Sequence, residues 1–280
     1  MMNSIIEMFS YTFMVKAFIC GILISFSAAL IGVTLVLRRN SMIGDGLSHV
    51  AFGAFAIATV LGFAPLVVSI PVVIIASILL LRLNENSKIN GDAGIALISA
   101  SALAIGTFVV SITKGVNIDI NNYLFGSVLS IGKEDIYISV ALSILVIFLY
   151  IFSYNKIFAI TFDEKFASSI GINTRLYNII FASICSVVVV LGMRLMGSLL
   201  ISSLIIFPTT SSREIFKTFK GVVIVSSIIS VLAFIIGLSL SYFISTPAGS
   251  TIVLVNLVIF IIFKIVGCLL ISVKRHKKAK

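Results

Sequence analysis

The sequence predicts an all-α, polytopic membrane protein, and three observations carry that expectation. Hydrophobic residues fill 60% of the 280 positions and charged residues 11%, for a mean hydropathy of +1.24, far above a water-soluble domain of ordinary composition. The apolar residues gather into runs long enough to cross a bilayer as helices. The basic residues behind the net charge of +10 stand at the ends of those runs and form no single patch, so the charge reads as membrane topology and not as a nucleic-acid surface.

Runs of span length fall at about 17–37, 46–64, 65–83, 94–113, 135–154, 175–192, 195–211, 221–243 and 250–272, about nine crossings within one transmembrane domain covering residues 1–280. Fifteen of the 20 lysines and arginines lie in connections on one side, among them Arg38, Arg39, Lys156, Lys165, Arg213, Lys217 and the KRHKKAK tail. Four, Lys16, Lys114, Lys133 and Arg194, lie on the other, and Lys264 falls within the last run. The positive-inside rule then puts the amino terminus outside and the carboxyl terminus in the cytoplasm, which requires an odd number of crossings. The tail reads as an anchor on the lipid surface.

Glu7 and the lack of a basic start argue against a cleaved signal peptide, so the first span is expected to be retained. Residues 1–16 mix apolar and polar positions and suit a short helix lying at the outer surface. In the outer connection, Asn121 to Gly132 is apolar but about a dozen residues long, the length of a re-entrant or interfacial segment. Gly126 to Lys133 is a failed phosphate loop: its glycines are one residue too far apart, and Glu134 stands where a Ser or Thr would hold magnesium. Cys20, Cys185 and Cys268 sit in apolar runs without paired spacing and read as packing.

The most informative stretch is Arg38 to Val50, RRNSMIGDGLSHV. Asp45 and His49 are i and i+4, so on a helix they share one face with Cβ atoms roughly 6 Å apart. A carboxylate and an imidazole suit zinc, manganese or ferrous iron. The alternative is an N-cap role for Asp45 and a headgroup-facing His49. Ionisable residues inside a membrane favour the functional reading. Arg38 and Arg39 are expected to anchor the preceding span at the inner headgroups and to repel a stray cation.

The longest inner connection holds a second informative stretch, AITFDEKFASSIGIN. Thr161 and Glu164 have capping-box spacing, and Gly171 supplies a stop. Phe162, Phe166 and Ile170 repeat at i, i+4 and i+8, while Asp163, Glu164 and Lys165 point elsewhere. Such an apolar stripe either packs back on its own bundle or docks into another protein's groove. Further along, Gly197, Ser198, Ser202 and Ser203 are small enough to let helices approach closely or to line a pathway, and Pro208 is expected to interrupt that helix near its cytoplasmic end. Pro247 and Gly249 suggest a turn or broken helix at the outer start of the last span, and Asn256 an interhelical hydrogen bond.

The strings LRRNSMIGDGLSHV, YLFGS (Tyr123 to Ser127), ITFDE (Ile160 to Glu164), GSLLISSLIIFP (Gly197 to Pro208) and TPAGSTIVL (Thr246 to Leu254) together resemble the membrane permease subunit of the bacterial ABC-type zinc and manganese importers, over essentially the full length. The resemblance implies a multi-pass protein of the cytoplasmic membrane with cobalamin-importer-like architecture, working as a dimer of permeases. It implies two separate ATPase subunits that bind ATP and dock on a coupling helix at about 161–171, and an extracellular metal-binding lipoprotein that delivers the ion. Asp45 and His49 would then be the metal-contacting pair, zinc or manganese the cargo, and no cofactor would stay bound. The metal-pair and YLFGS strings lean towards the zinc branch. The chain departs from the family where Pro208 is followed by Thr209-Thr210-Ser211-Ser212 in place of the frequent Ala-Ala-Thr-Ala, and where Ser245 and Thr246 replace a frequent acidic residue near Pro247. A secondary cation transporter would show more acidic residues within spans and repeated halves. A membrane metalloenzyme would need a third ligand and a base, and no HExxH occurs.

Overall fold

Backbone amides in hydrocarbon have no water to bond, so each apolar run must satisfy its own hydrogen bonds, and a helix does so within one segment. The computed structural model describes residues 7–86, 91–113, 126 and 132–278. Among them the elements are α1 (Thr12–Leu37), α2 (Met42–Val60), α3 (Pro65–Asn86), α4 (Gly91–Ile112), α5 (Lys133–Phe162), α6 (Glu164–Ser169), α7 (Thr174–Met196), α8 (Ser198–Ile215), α9 (Phe219–Ile244) and α10 (Ala248–Lys278), with no strand among the described residues. Each of the nine expected runs falls on one of the long helices. Seven of these, α1, α2, α4, α5, α7, α9 and α10, are long and apolar enough to cross a membrane. The apolar part of α3 is shorter, Pro65–Leu81.

The polar composition of α8 follows from its position. It packs on α1, α2, α7, α9 and α10, and Ser202, Ser203, Thr209, Ser211 and Ser212 are buried in those contacts. A helix surrounded by protein can carry hydroxyls that a lipid-facing helix could not. Burial elsewhere grades outward: α1, α2 and α7 are mostly inside, whereas α4 and α10 turn most of their apolar residues out of the bundle.

Small residues set the spacing at the centre. A Cβ on Gly32 would stand 2.1 Å from the Ile205 carbonyl oxygen, so α1 and α8 meet backbone against side-chain-free backbone. Gly53 meets the Ala102 carbonyl in the same way, bringing α2 onto α4. Hydroxyls then tie helices across the contacts: Ser27 donates to Ser143 (3.0 Å), Ser143 to the Leu23 carbonyl (3.0 Å), Ser230 to the Ser25 carbonyl (2.8 Å) and Ser186 to the Val73 carbonyl (3.2 Å). Thr34 and the Tyr150 hydroxyl are 2.6 Å apart, and Tyr150 also donates to the Leu30 carbonyl.

Three sequence expectations change, and a fourth falls outside the described residues. The first span starts at Thr12, so residues 12–16 extend it in place of a separate surface helix; residues 7–10 are helical and 1–6 lie outside the described residues. The re-entrant segment and YLFGS lie outside the described residues apart from Gly126 and Gly132, and a Cβ on Gly126 would stand 2.3 Å from the Met196 backbone. Pro208 lies within α8, which continues to Ile215. Proline leaves the carbonyl of Leu204 without its amide donor; Thr210 donates to the Ile206 carbonyl (2.9 Å) and Ser211 to the Phe207 carbonyl (2.7 Å), which reinforces the turn beyond it without replacing that bond. Asn256 is buried but bonds within its own helix, donating to the Ile252 carbonyl at 3.1 Å, and its Oδ1 has no hydrogen-bond partner among the described residues.

Adding a methyl at the α1–α8 crossing tests this packing. Gly32→Ala should destabilise by about 1–3 kcal/mol through overpacking, seen as a lower thermal unfolding midpoint in detergent. Gly94→Ala, where no atom lies within 4 Å of the added Cβ, should leave the midpoint unchanged or raise it, since alanine is favoured over glycine by roughly 0.5–1 kcal/mol within a helix. Equal midpoints for Gly32→Ala and wild type would disprove the close approach.

Candidate functional site

The turn from α1 to α2 is short and closed. The Arg39 amide donates to the Val36 carbonyl (3.2 Å) and that of Asn40 to the Leu35 carbonyl (2.8 Å), with Arg39 left-handed at φ 61°. This is the Schellman arrangement, with an arginine where glycine is usual. It delivers the chain into α2 at Met42, with Ser41 at the N-cap.

Asp45 is therefore the fourth helical residue and not the cap. Gly44 packs against Ile205, Gly46 against Ile95, and Leu47 and Ser48 are fully buried, Ser48 donating to the Asp45 carbonyl at 2.7 Å. These contacts fix the rotation of α2 and leave Asp45 and His49 on its more open side, their side chains 43% and 24% exposed. His49 Nε2 stands 3.7 Å from Asp45 Oδ2, adjacent but beyond hydrogen-bond distance. His49 Nδ1 is buried without a hydrogen-bond partner. A carboxylate oxygen and a ring nitrogen thus face the same small space without satisfying each other. Among the described residues no group of three or more His, Cys, Asp or Glu side chains could hold a metal, so one chain offers two ligands.

The predicted capping box at the coupling stretch is corrected. Thr161 belongs to the last turn of α5 and donates to the Ile157 carbonyl (2.6 Å), while Asp163 caps α6 by accepting from the Phe166 amide (2.9 Å). The extended backbone that an N-cap needs occurs at Asp163, φ −150° and ψ 98°, and a residue still inside α5 cannot supply it. At the other end, the Gly171 amide donates to the Ser168 carbonyl and that of Ile172 to the Ala167 carbonyl, both 3.1 Å, with Gly171 at φ 87°. Ala167 is fully buried and seats α6, while Phe162, Phe166 and Ile170 are each more than half exposed. Phe162 closes α5 beside Phe158 (5.0 Å) and Phe219 (6.1 Å), so the stripe spans a break between two helices.

Glu164 has another task. Its Oε2 accepts from Arg38 Nη2 at 2.6 Å and its Oε1 from Asn178 Nδ2 at 2.6 Å, while Asn178 Oδ1 accepts from Arg38 Nη1 at 2.8 Å. This three-membered ring joins the end of α1, the start of α6 and the first turns of α7. Arg38 is therefore not free at the headgroups. A second ion pair closes the opposite end of the bundle, where Arg194 Nη1 meets the buried Asp135 Oδ1 at 2.9 Å and Asp135 Oδ2 also accepts from the Gly132 amide. Sequence reading missed both, although Asp135 three residues after Gly132, at the start of an apolar run, was a legible capping signal.

The small residues fall at that same end. Gly197, at φ 92°, is the single residue between α7 and α8, and Ser198 and Ser202 are buried just beyond it. Pro247 stands in the turn just before α10 and Gly249 in the first turn of that helix, after Ser245 in the left-handed conformation, with the Pro247 carbonyl accepting from the Thr251 amide (3.1 Å). Tyr11 on Tyr242 (6.4 Å) sets this turn beside the start of α1, away from Arg38.

The sequence model of the ABC 3 transport family matches residues 10–267. The manganese import system permease protein ScaB of Streptococcus gordonii is 29% identical over 252 residues, 90% of each chain. The high-affinity zinc uptake system membrane protein ZnuB of Haemophilus influenzae is 31% identical over 247 residues, 88% of this chain and 94% of that one. The solved structure of PsaBC from Streptococcus pneumoniae in complex with Fab superposes with a TM-score of 0.83 at 26% identity, covering 94% of this chain and 95% of the other. The match across nearly the whole length, on an all-helical bundle with an open Asp–His pair, means that this chain belongs to the ABC 3 transport family, the membrane permeases of the bacterial ABC-type zinc and manganese importers.

Proposed function

We propose that the chain moves a divalent transition metal, zinc in the first place, inward across the bacterial cytoplasmic membrane, with Asp45 and His49 contacting the ion in transit. The observation that carries this is the pair itself: two metal-competent side chains 3.7 Å apart, unbonded to each other and partly open on an otherwise packed helix. Two ligands hold a transition metal weakly. A second permease copy across a two-fold axis contributes another Asp45 and His49, for a transient four-ligand set that forms when the pathway closes and parts when it opens. The topology in this reading is nine crossings with the amino terminus outside and the carboxyl terminus in the cytoplasm, in the cobalamin-importer arrangement. ATP is hydrolysed by two separate ATPase subunits docked on Phe162, Phe166 and Ile170, and an extracellular metal-binding lipoprotein delivers the ion. The small residues Gly197, Ser198 and Ser202, Pro208 within α8, and Pro247 and Gly249 at the entry to α10 shape the pathway and its outer end.

Manganese is the second reading, supported by the manganese permease among the relatives at nearly the same identity as the zinc permease. An oxygen and nitrogen donor set accepts either ion. Zinc stands first on the resemblance of the metal-pair string.

In a deletion strain under metal limitation, Asp45→Asn and His49→Ala should each abolish uptake at wild-type protein level. Changes outside a metal's direct ligands already cost about 10–100-fold, so loss of a ligand should cost at least that much. Wild-type uptake by both variants would remove the pair from the pathway, and rescue of growth by manganese but not zinc would reverse the order of the ions. The double variant Phe162→Ala/Phe166→Ala should insert normally yet lose ATP-driven uptake, and normal transport by it would refute the docking surface.

A further inference from the structure

Arg38 caps the buried helix α1 while standing four residues before α2. Its side chain is 11% exposed and holds two partners in two directions, Glu164 at 2.6 Å and Asn178 at 2.8 Å, and these are bonded to each other at 2.6 Å. Glu164 is the first residue of α6, and both of its carboxylate oxygens are used. A displacement of α6 thus acts on the guanidinium along a defined direction, since its planar fork is fixed by one charge-assisted bond to Glu164 and one bond to Asn178, where an apolar contact would slide.

The next link has no slack. The amides of Arg38, Arg39 and Asn40 are all bonded back into the last turn of α1, and the Ile43 amide donates to the Asn40 carbonyl at 3.1 Å. From Arg38 the chain therefore enters α2 through a closed turn, and the carboxylate of Asp45 lies one helical turn further on. The seat of α6 is Ala167, buried at 0% exposure, so packing alone already holds that short helix to the bundle. A partly buried ion pair adds little net stability over an apolar contact of the same size. What it adds is directionality and a discrete broken state.

We propose that Arg38 is the positioning residue that transmits movement of the ATPase-docking helix α6 to the first turns of α2, and so to the metal pair. The proposal rests on the functional reading above and goes beyond it by naming the link. When α6 shifts, Glu164 carries Arg38 and the end of α1 with it, and the rigid turn re-aims Asp45 and His49 relative to their copies in the second permease subunit. Asn178 keeps the guanidinium on this line by occupying its second face from α7.

Two measurements on the complete complex, permease with its ATPase and binding protein, decide it. The first is hydrogen exchange of residues 42–49 before and after ATP binds. Exchange should change in wild type, stay fixed in Arg38→Gln and Glu164→Gln, and change again in the swap Arg38→Glu/Glu164→Arg. The second is metal moved per ATP hydrolysed in proteoliposomes, with zinc and with manganese. Arg38→Gln, which leaves the docking helix itself unaltered, should keep the bound ATPase and its basal hydrolysis while the ratio falls by about 5- to 150-fold, the usual span of coupling between two sites; Glu164→Gln should lower the ratio likewise, and the swap should recover most of it. An unchanged exchange response and ratio in the single variants would overturn the proposal, as would loss of ATPase assembly in Arg38→Gln or failure of the swap to restore either readout. A wild-type complex that moves neither ion would defeat the functional reading, and the exchange measurement would still decide the role of Arg38.

Discussion

A peptide group in hydrocarbon cannot bond to water, and that constraint shapes both what the chain is made of and how its pieces meet. Once every backbone bond is closed inside a helix, lipid tails compete with neighbouring helices for the same apolar surface, so association depends on how closely backbones approach. Gly32 against Ile205 and Gly53 against Ala102 are where this chain removes side chains to gain that approach. The hydroxyl ties between α1, α5 and α9 follow from it, because Ser27, Ser143 and Ser230 reach a partner only where backbones are already close.

The same constraint separates the polar residues into two groups. The two carboxylates that tie helix ends together are satisfied within the chain. Asp135 is bonded to Arg194 and the Gly132 amide, and Glu164 uses both oxygens on Arg38 and Asn178. Asp45 and His49 stand close together but beyond hydrogen-bond distance of each other.

Periodicity and composition made the long helices legible, because a run of apolar residues is a property of adjacent positions. The i, i+4 spacing of Asp45 and His49 was legible for the same reason. Local hydrogen-bond choice was less so. Thr161 and Asp163 can both cap, and the decision fell on where α5 stops, which depends on the seating of Phe158 and Phe162 beside Phe219. Pairings such as Arg38 with Glu164 link residues 126 positions apart and leave no mark on local sequence. Pro208 was read as a break by its chemistry alone, whereas α8 is held from five neighbouring helices and continues through it, a tertiary effect that local sequence does not show.

The state of His49 bears on how a passage differs from a store. A histidine that holds a resident metal almost always gives its second ring nitrogen to an acceptor, which fixes the ring and strengthens the donor. Here Nδ1 is buried without a partner among the described residues, none of which locks the ring behind Nε2. The carboxylate of Asp45, near the positive end of the α2 dipole, has part of its charge already stabilised by the helix, which weakens its pull on a cation. Both features lower affinity in a single chain. They agree with the proposed function, in which the pair would bind an ion firmly only while a second copy completes the set and would give it up when the two copies part.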